Sequence, residues 1–514
     1  MFQTIGLRVN VDPLRCTQSV IDVDKFEYKF GSAIKGKQRV WTFEFENTYE
    51  GALTLDMMID DFDLVPVITN LDETAANTNC IFSTKLALLD TIGCIFNASD
   101  SSQPASFATM GKYSKINNPF EFSKNINNSS DLGRFFTTLI RWFDFNDTFL
   151  AEEWAHPSDN IGSLLSYFIT RGGTLKDFSE AIIRTYEIQG SLSLGTSLNK
   201  QGYDHVFFVK MASGSVYADL ISSGNEEIIT RTINNILLDG PSLRTYRHAP
   251  NVGKRKSWAA ADAVSRAIEI SEISLLDDEN YSGILKDSTW GFENIYFENA
   301  TMHFGKTLDN WVINNVLFKV LYPAEFHGQS AVEAAVQLSN EFLPNKNVTK
   351  EIVIETHEPA IRIISNKEIL NNASDRDHSL EYMVATALLL GDVTSDSYEE
   401  SFHGFKEIEM LRKKITVVEN PNFTETYYEF DKREIANRIY LNFEDGSQSE
   451  KITVRYPIGH PKRRDEAVPL IKEKFIKNTS NHFEPEHANK IWNAIIDLKM
   501  DDDFNKLINI LIDE

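Results

Sequence analysis

The chain has 514 residues, of which 51 are Lys or Arg and 75 are Asp or Glu, and its formal net charge is −24. Apolar residues make up 42% and charged residues 25%, which is ordinary for a soluble globular protein and excludes a disordered one. At roughly 100–200 residues per domain, the length predicts two to four domains. The acidic balance argues against a nucleic-acid partner, because binding to a phosphate backbone needs concentrated basic charge.

Apolar runs and cysteines exclude further classes of protein. The longest mainly apolar stretch, Met383 to Leu390, is shorter than the ~18 residues of a membrane-spanning helix, so we expect no membrane partner. Cys16, Cys80 and Cys94 are too few and too scattered for a disulfide framework or a cysteine-based metal site. The N-terminus lacks a secretory signal, and a reducing compartment is therefore expected.

The first 75 residues differ in pattern from the rest. Short β-branched or aromatic segments separated by polar turns predict strands at Arg39–Glu46, Leu53–Ile59 and Leu64–Thr69. From Cys80 to Cys94 apolar residues recur at three and four, which predicts a helix. The stretch from Asn97 to Asp131 is rich in Ser, Asn, Gly and Pro, and we expect it to be mostly loop.

Helical patterns dominate to about residue 275. Thr174 followed by Asp177 is typical of a helix-opening cap before a helix at Phe178–Gln189. Lys256–Ile273 is predicted to form a long helix whose small residues permit close packing.

The pattern becomes mixed α/β after about residue 310. Ala331–Leu343 is predicted as a helix and Glu351–Thr356 as a strand. Ile439–Phe443 and Lys451–Tyr456 flank an Asp-Gly turn and predict a hairpin. A helical tail is expected over Ala488–Leu511.

One segment is basic against the acidic background. Arg244–Trp258 contains no acidic residue and carries six basic ones: Arg244, Arg247, His248, Lys254, Arg255 and Lys256. A cationic segment beside a helix start suggests an anion site, since side chains and backbone N–H groups act together there. A solvated basic loop that pairs with the acidic surface explains the same pattern.

Histidines and lysines supply the other candidates for chemistry. Asp144 and Asp147 precede His156, and a histidine held by a carboxylate is a usable acid or base, although a lone histidine in a turn is usually structural. His205 and Lys319 each lie in an otherwise apolar run. No dinucleotide, phosphate-loop, zinc-protease, serine-hydrolase or calcium motif occurs. We therefore expect chemistry without a metal or other cofactor.

A series of strings carries a family resemblance. LALLDTIGC, LIRWFDFNDTFLAEEWAHPSDNIG, YEIQG, DHVFFVKMAS, SLRTYRHAPNVGKRKSWAAADAVSRA, FKVLYPAEFHGQSAVEAA, THEPAIRII, NNASDRDHSLEYMVATALLLG and YPIGHPKRR occur in order over about residues 80–480. Together they resemble the MmgE/PrpD family, and within it the branch that dehydrates 2-methylcitrate. The tyrosine-arginine-histidine string and PAEFHGQ favour this branch over its decarboxylase relatives.

The resemblance implies a mostly α protein with an α/β lid. A large all-helical domain is expected from the N- and C-terminal parts, with a smaller α/β domain between them. The expected limits are a β-like segment of unknown role at 1–75, helical domain at 76–310, lid at 311–460 and helical domain again at 461–514. The family also implies a homodimer without metal or iron–sulfur cluster, located in the cytoplasm or, alternatively, the mitochondrial matrix. The implied reaction removes water from a tricarboxylate, 2-methylcitrate, during propionate breakdown.

The family's site residues map onto seven positions of this sequence. They are Asp144, Thr148, His156, His205, Lys256, Lys319 and Tyr382. The substrate is a trianion and proton removal adds negative charge, so the site needs cations placed where charge develops. We expect the two lysines there, with Arg244, Arg247 and His248 binding substrate. The two histidines are expected to transfer protons.

Departures from the family pattern leave alternatives open. Tyr186 stands where a histidine usually precedes EIQG, Ala373 replaces a proline, and Pro461 interrupts a basic string. The first 75 residues match nothing in the family. A related tricarboxylate lyase, acting on citrate or cis-aconitate as dehydratase or decarboxylase, is the first alternative. A drifted anion-binding or interaction protein is the second.

Overall fold

The computed structural model describes residues 78–247, 251–297, 301–305 and 310–512, and the main chain alone of three strands before them. These strands are β1 (Tyr28–Lys35), β2 (Gln38–Phe45) and β3 (Leu53–Met58). They form an antiparallel sheet in the order β1-β2-β3. The strands predicted at Arg39–Glu46 and Leu53–Ile59 are confirmed, and the one predicted at Leu64–Thr69 lies outside the described residues.

Among the described residues between 78 and 315, the regular structure is helical apart from one short hairpin. Its helices are α1 (Thr78–Ser99), α2 (Ser102–Ala108), α3 (Pro119–Ser123), α4 (Ser129–Arg141), α5 (Ile161–Arg171), α6 (Leu175–Gly195), α7 (Val206–Ser222), α8 (Glu226–Asp239), α9 (Arg255–Leu276), α10 (Phe292–Tyr296) and α11 (Trp311–Asn315). The hairpin pairs β4 (Phe149–Leu150) with β5 (Trp154–Ala155).

Helix α1 is the central apolar helix of this part. From Cys80 to Ser99 it is long and apolar enough, by length and composition, to span a membrane, and 72% of that apolar window is buried inside the protein. Counting uninterrupted apolar runs missed it, because Thr84, Lys85 and Asp90 interrupt the sequence. Its burial among other helices makes it a core helix of this fold.

The expectation of loop over Asn97–Asp131 is wrong in part. Helices α2 and α3 and the start of α4 lie there. The composition suggested that the asparagines form turns, but two of them cap α3 and α4. Asn118 accepts hydrogen bonds from the N–H groups of Phe120 and Glu121, and Asn128 caps α4. A cap and a turn use the same residue types, so composition did not separate them.

Other helix predictions are confirmed. The capping box of Thr174 and Asp177 opens α6, and the predicted Lys256–Ile273 helix lies within α9. A small residue also permits close packing of α5 against α4, because a Cβ on Gly162 of α5 would lie 2.0 Å from Thr137 Oγ1 of α4. Close contact between these helices fixes the C-terminal end of α4, where the site begins.

The mixed α/β part follows. Its elements are α12 (Gln329–Asn345), β6 (Thr349–Thr356), α13 (Glu358–Ile364), α14 (Ala373–Arg376), α15 (Leu380–Leu390), α16 (Phe405–Arg412), β7 (Ile415–Glu419), α17 (Pro421–Tyr428), β8 (Asn437–Phe443) and β9 (Ile452–Val454). The sheet order is β7-β6-β8-β9, with β6 and β7 parallel and the other pairs antiparallel. The predicted strand at Glu351–Thr356 and the predicted hairpin are confirmed.

Three helices return the chain to the first part: α18 (Arg464–Asn478), α19 (Pro485–Asp497) and α20 (Phe504–Ile512). The buried apolar residues then fall into two main clusters. One combines residues from the first part with those of α18–α20, and the other combines residues between 322 and 454. The mostly helical architecture with a smaller α/β part is confirmed. We propose that the two clusters mark two domains with limits close to those predicted, and we call the smaller one the lid.

Candidate active site

The β4–β5 hairpin lines one wall of a buried cavity. Side chains alternate along a strand, so Thr148 and Leu150 share one face, as do Trp154 and His156. Leu150 pairs with Trp154 across the hairpin, and all four side chains line the cavity. The hairpin therefore presents two polar and two apolar side chains to the same space.

Asp144 lies just after the C-terminal end of α4 and holds two cations. Its φ angle is +52°, a conformation that few non-glycine residues adopt. Its carboxylate accepts hydrogen bonds from Arg141 and, at 2.8 Å, from Lys319 Nζ; Lys319 also donates to the Asp144 carbonyl at 2.6 Å. Burial opposes ionisation, yet Arg141 and Lys319 outweigh it and hold the pKa of Asp144 well below its usual value.

The contacts of His156 determine its tautomer. Nδ1 lies 2.8 Å from the carbonyl oxygen of Asp147, which can only accept, so Nδ1 carries the proton. Nε2 lies 2.9 Å from Arg141 Nη2, which can only donate, so Nε2 presents its lone pair. Burial and the Arg141 charge lower the pKa of His156 well below its usual value. The ring is therefore neutral, and its Nε2 lone pair accepts a hydrogen bond from Arg141, another side chain of the cavity lining.

His205 lies opposite His156 and precedes α7. The two ring centroids are 5.8 Å apart, and His205 is 2% exposed. Neither ring nitrogen has a hydrogen-bond partner among the described residues. Burial and Arg247 lower the pKa of His205 well below its usual value. A buried ring without partners, lining a cavity, suits a group that binds a ligand.

The cavity joins residues from distant parts of the chain. Besides the hairpin residues it is lined by Arg141, Asp144, His205, Arg244, Arg247, Lys319, Glu325, Phe326, Ile363 and His378. In this described lining, four cationic side chains face two carboxylates. Arg247 is held by Asp204, which accepts from its Nε and, at 3.1 Å, from its Nη2. The predicted anion site is thus built partly from the basic segment and partly from the lid.

Lys256 lies in a second, adjoining cavity of about 400 Å³. Its Nζ contacts both carboxylate oxygens of Asp377, at 2.6 and 2.8 Å, and His378 Nδ1 at 3.1 Å. Lys256 belongs to α9 and Asp377 to the lid, so this ion pair crosses between the two parts. His378 lines the first cavity, so its contact with Lys256 links side chains of the two cavities.

One predicted site residue is placed away from both cavities. Tyr382 is fully buried in α15 and donates its hydroxyl to the carbonyl of Ser397 at 2.8 Å. It is not among the side chains that line either cavity, so contact with a substrate is not what this geometry supports. Burial raises its pKa to about 12. His248 lies outside the described residues.

Sequence reasoning missed several residues of the cavity. Arg141 was missed because an arginine at the end of a helix is common. Its spacing of three residues from Asp144 could have indicated an ion pair between the two side chains. Glu325 accepts from His327 Nδ1 at 2.8 Å, and His327 Nε2 contacts the Tyr427 hydroxyl at 3.0 Å. Asp377 and His378 were visible only as a polar string.

The buried carboxyl group of Asp147 helps to hold the segment that orients His156. Asp147 accepts hydrogen bonds from the Ser158 hydroxyl at 2.7 Å and the Tyr186 hydroxyl at 2.7 Å. Burial raises its pKa to about 6 despite these donors. Tyr186, noted as a departure in the sequence, thus helps to fix the segment whose carbonyl orients His156.

No group of three or more His, Cys, Asp or Glu side chains within the described ranges could hold a metal ion.

Lys210, another lysine in an apolar run, donates to Asp239 and to the Gly240 carbonyl. It is therefore engaged within the helical part.

Comparison with known proteins agrees with this arrangement. The MmgE/PrpD N-terminal domain matches residues 63–305, and the MmgE/PrpD C-terminal domain matches residues 322–500. The chain belongs to the MmgE/PrpD family. The first match includes residues 63–75, so the expectation that the whole of the first 75 residues matches nothing in the family is wrong for that part. The two matched regions contain every lining residue of both cavities except Lys319, which lies between them.

Similar proteins of bacteria and fungi carry the name 2-methylcitrate dehydratase. The chain is 42% identical over 372 residues to the 2-methylcitrate dehydratase of Escherichia coli K12, covering 70% of this chain and 77% of the relative. It is 41% identical over 368 residues to a probable 2-methylcitrate dehydratase of Saccharomyces cerevisiae, covering 67% and 70%. It is 40% identical over 371 residues to a mitochondrial 2-methylcitrate dehydratase of Yarrowia lipolytica, covering 70% and 71%.

Proposed function

We propose that this chain is a hydro-lyase that removes water from 2-methylcitrate to form 2-methyl-cis-aconitate. The observation that carries the proposal is the buried cavity in which two neutral histidines face a cluster of cations. The family membership and the names of the relatives support the same substrate. The place of the reaction is propionate breakdown, as the resemblance implies.

The cations fit the charge of the substrate. Arg244, Arg247 and Lys319 provide positive charge without protons having to move, and they would bind carboxylates that approach the cavity. Removing a proton beside a carboxylate adds negative charge, which these side chains stabilise where it develops. Burial strengthens this effect, because little water competes.

We assign the proton transfers from the tautomer of His156. Once a substrate carboxylate draws the Arg141 guanidinium away from Nε2, the Nε2 lone pair takes the proton from the carbon next to a carboxylate as the carbon–carbon double bond forms. The carbon–oxygen bond breaks at the same time, and the departing hydroxyl takes a proton from His205 and leaves as water. A bound trianion raises the pKa of His205, which the cations lower in the empty site. Substrate binding thus supplies the acid form.

Lys256 contributes on the lid side. In the empty site its charge is taken by Asp377, so a substrate carboxylate has to compete with that residue. We propose that Lys256 binds a substrate carboxylate in exchange for Asp377.

The test is turnover of 2-methylcitrate, citrate and cis-aconitate by the full chain, followed by ultraviolet absorbance of the conjugated alkene. We expect turnover of 2-methylcitrate at an unchanged rate in the presence of a chelator. His156→Gln should lose most of kcat, whereas His482→Gln, on a histidine of the helical part outside both cavities, should not. A folded protein that is silent on all three substrates would contradict the proposal and favour a drifted anion-binding protein.

Two further proposals follow from the family. We propose a homodimer, which light scattering on the purified chain tests against the protomer mass of 58.5 kDa. We propose a cytoplasmic location, with the mitochondrial matrix as the alternative, because one relative is named as mitochondrial. Cell fractionation separates the two compartments.

A further inference from the structure

The cavity has an apolar end that catalysis by acids, bases and cations does not explain. Leu150 and Trp154 line it from the hairpin, where they form a cross-strand pair. Phe326 and Ile363 line it from the lid. Leu150, Trp154 and Phe326 belong to a separate apolar cluster at the boundary of the two parts, and Ile363 packs against that cluster.

The position of this apolar end relative to His156 is fixed by the hairpin. Trp154 lies two residues before His156 on the same face, a separation of about 6–7 Å along a strand. Leu150 has the same relation to Thr148. A group that fills the apolar end therefore lies near the His156 ring.

The proposed substrate carries one apolar group, and its place is known from the reaction. In 2-methyl-cis-aconitate the methyl group is on an alkene carbon, so the proton leaves the carbon that bears the methyl. Citrate has the same carboxylates and hydroxyl but lacks this methyl. A trianion without a methyl has no use for an apolar wall, because burying it there costs hydration without an apolar contact in return.

We propose that Leu150, Trp154, Phe326 and Ile363 form a pocket for the substrate methyl group and set the preference for 2-methylcitrate over citrate. The pocket rests on the proposed function and specifies which tricarboxylate the same site takes. By holding the methyl, it directs the neighbouring carbon–hydrogen bond toward His156 Nε2. One such group in an apolar pocket accounts for a preference of roughly 10- to 200-fold.

The experiment compares kcat/KM for 2-methylcitrate and citrate in the full chain and two matched variants. Ile363→Thr places a hydroxyl in the pocket wall, at a partly buried position near the end of α13. Ile361→Thr makes the same change two residues earlier on α13, at a similarly buried position outside the cavity lining. Leu150→Thr tests the hairpin side independently.

We expect the ratio of kcat/KM for 2-methylcitrate over citrate to fall about three- to tenfold in Ile363→Thr and in Leu150→Thr. Ile361→Thr should keep both the ratio and the activity. A ratio that stays within about twofold of the parent in both pocket variants overturns the methyl pocket alone. Silence of the folded parent on both substrates overturns the proposed function, and the pocket with it.

Discussion

Two lysine–aspartate pairs occupy the two adjoining cavities, and their surroundings differ. Lys319 and Asp144 have side chains that are 1% and 7% exposed, and Arg141 shares the same carboxylate. Lys256 and Asp377 have side chains that are 5% and 17% exposed, and their pair joins α9 to the lid. The first pair is surrounded by protein, whereas the second lies on the wall of a larger open space.

The difference separates a preorganised group from a replaceable one. Lys319 is fixed by two contacts to Asp144, including the main-chain carbonyl, so it keeps its position whether or not substrate is present. Lys256 is held by a side-chain carboxylate alone, which by our proposal a substrate carboxylate replaces. We infer that Lys319 acts mainly in the transition state and Lys256 mainly in binding.

The largest expected effect is on stability, from removing each carboxylate. Asp144→Asn leaves Arg141 and Lys319 buried without their shared anion, and we expect a loss of about 3–5 kcal/mol in the free energy of unfolding. Asp377→Asn should cost about 1 kcal/mol, because its partner reaches the larger cavity. Urea unfolding of both variants measures this, and equal losses would contradict the comparison.

The next effect is on catalysis. Lys319→Met keeps the length of the side chain and removes its charge, and kcat should fall on the order of 10²–10³-fold if Lys319 stabilises the transition state. The control is Lys346→Met, because Lys346 forms an exposed ion pair with Glu407 in the lid and should leave kcat unchanged. A fall in kcat of less than about tenfold for Lys319→Met would show that Lys319 does not stabilise the transition state.

Lys256→Met should have a smaller effect with a different signature. Losing one charge-assisted contact to substrate costs about 10- to 100-fold in kcat/KM, and most of it should fall on KM. Steady-state kinetics beside Lys319→Met separates the two roles. A loss confined to kcat at Lys256 would make the two lysines equivalent.

The smallest effect is a pH dependence of stability that belongs to His205. Its pKa is lowered in the folded chain, so below about pH 6.5 the unfolded chain binds a proton that the folded chain does not. This ring therefore contributes a loss of up to about 1.4 kcal/mol per pH unit as the pH falls from 6.5 to 5, beside the losses of other buried histidines such as His156.

His205→Gln should lack this loss, so the difference in stability between variant and parent should shrink over the same range. Urea unfolding at pH 7, 6 and 5 measures it. A difference that is constant with pH would mean that His205 is protonated in the folded chain.

Local patterns predicted most of the elements. The capping box before α6, the long α9 with its small residues, and the β8–β9 hairpin follow from residues that are neighbours in sequence. The same reasoning wrongly predicted a loop over Asn97–Asp131, since asparagines there cap helices instead of forming turns. The apolar length of helix α1 was underestimated, because polar residues within the helix divide its apolar residues into short runs.

The site divides in the same way. The family strings predicted Asp144, Thr148, His156, His205 and Lys319, and the structure brings these five into one cavity. The same strings predicted Tyr382, whose hydroxyl is instead engaged by a main-chain carbonyl. Their catalytic roles stay predictions until the variants are measured.

The sequence by itself determined the residue types, their family and the local elements that carry them. Only the tertiary structure decided that Arg141 holds both Asp144 and His156, that Lys256 pairs with Asp377 across the two parts, and that an apolar wall adjoins the histidines. The physical reason is that hydrogen bonds and ion pairs act over a few ångströms. The residues that make them here lie up to 175 positions apart, and only packing of the lid against the helices brings them together.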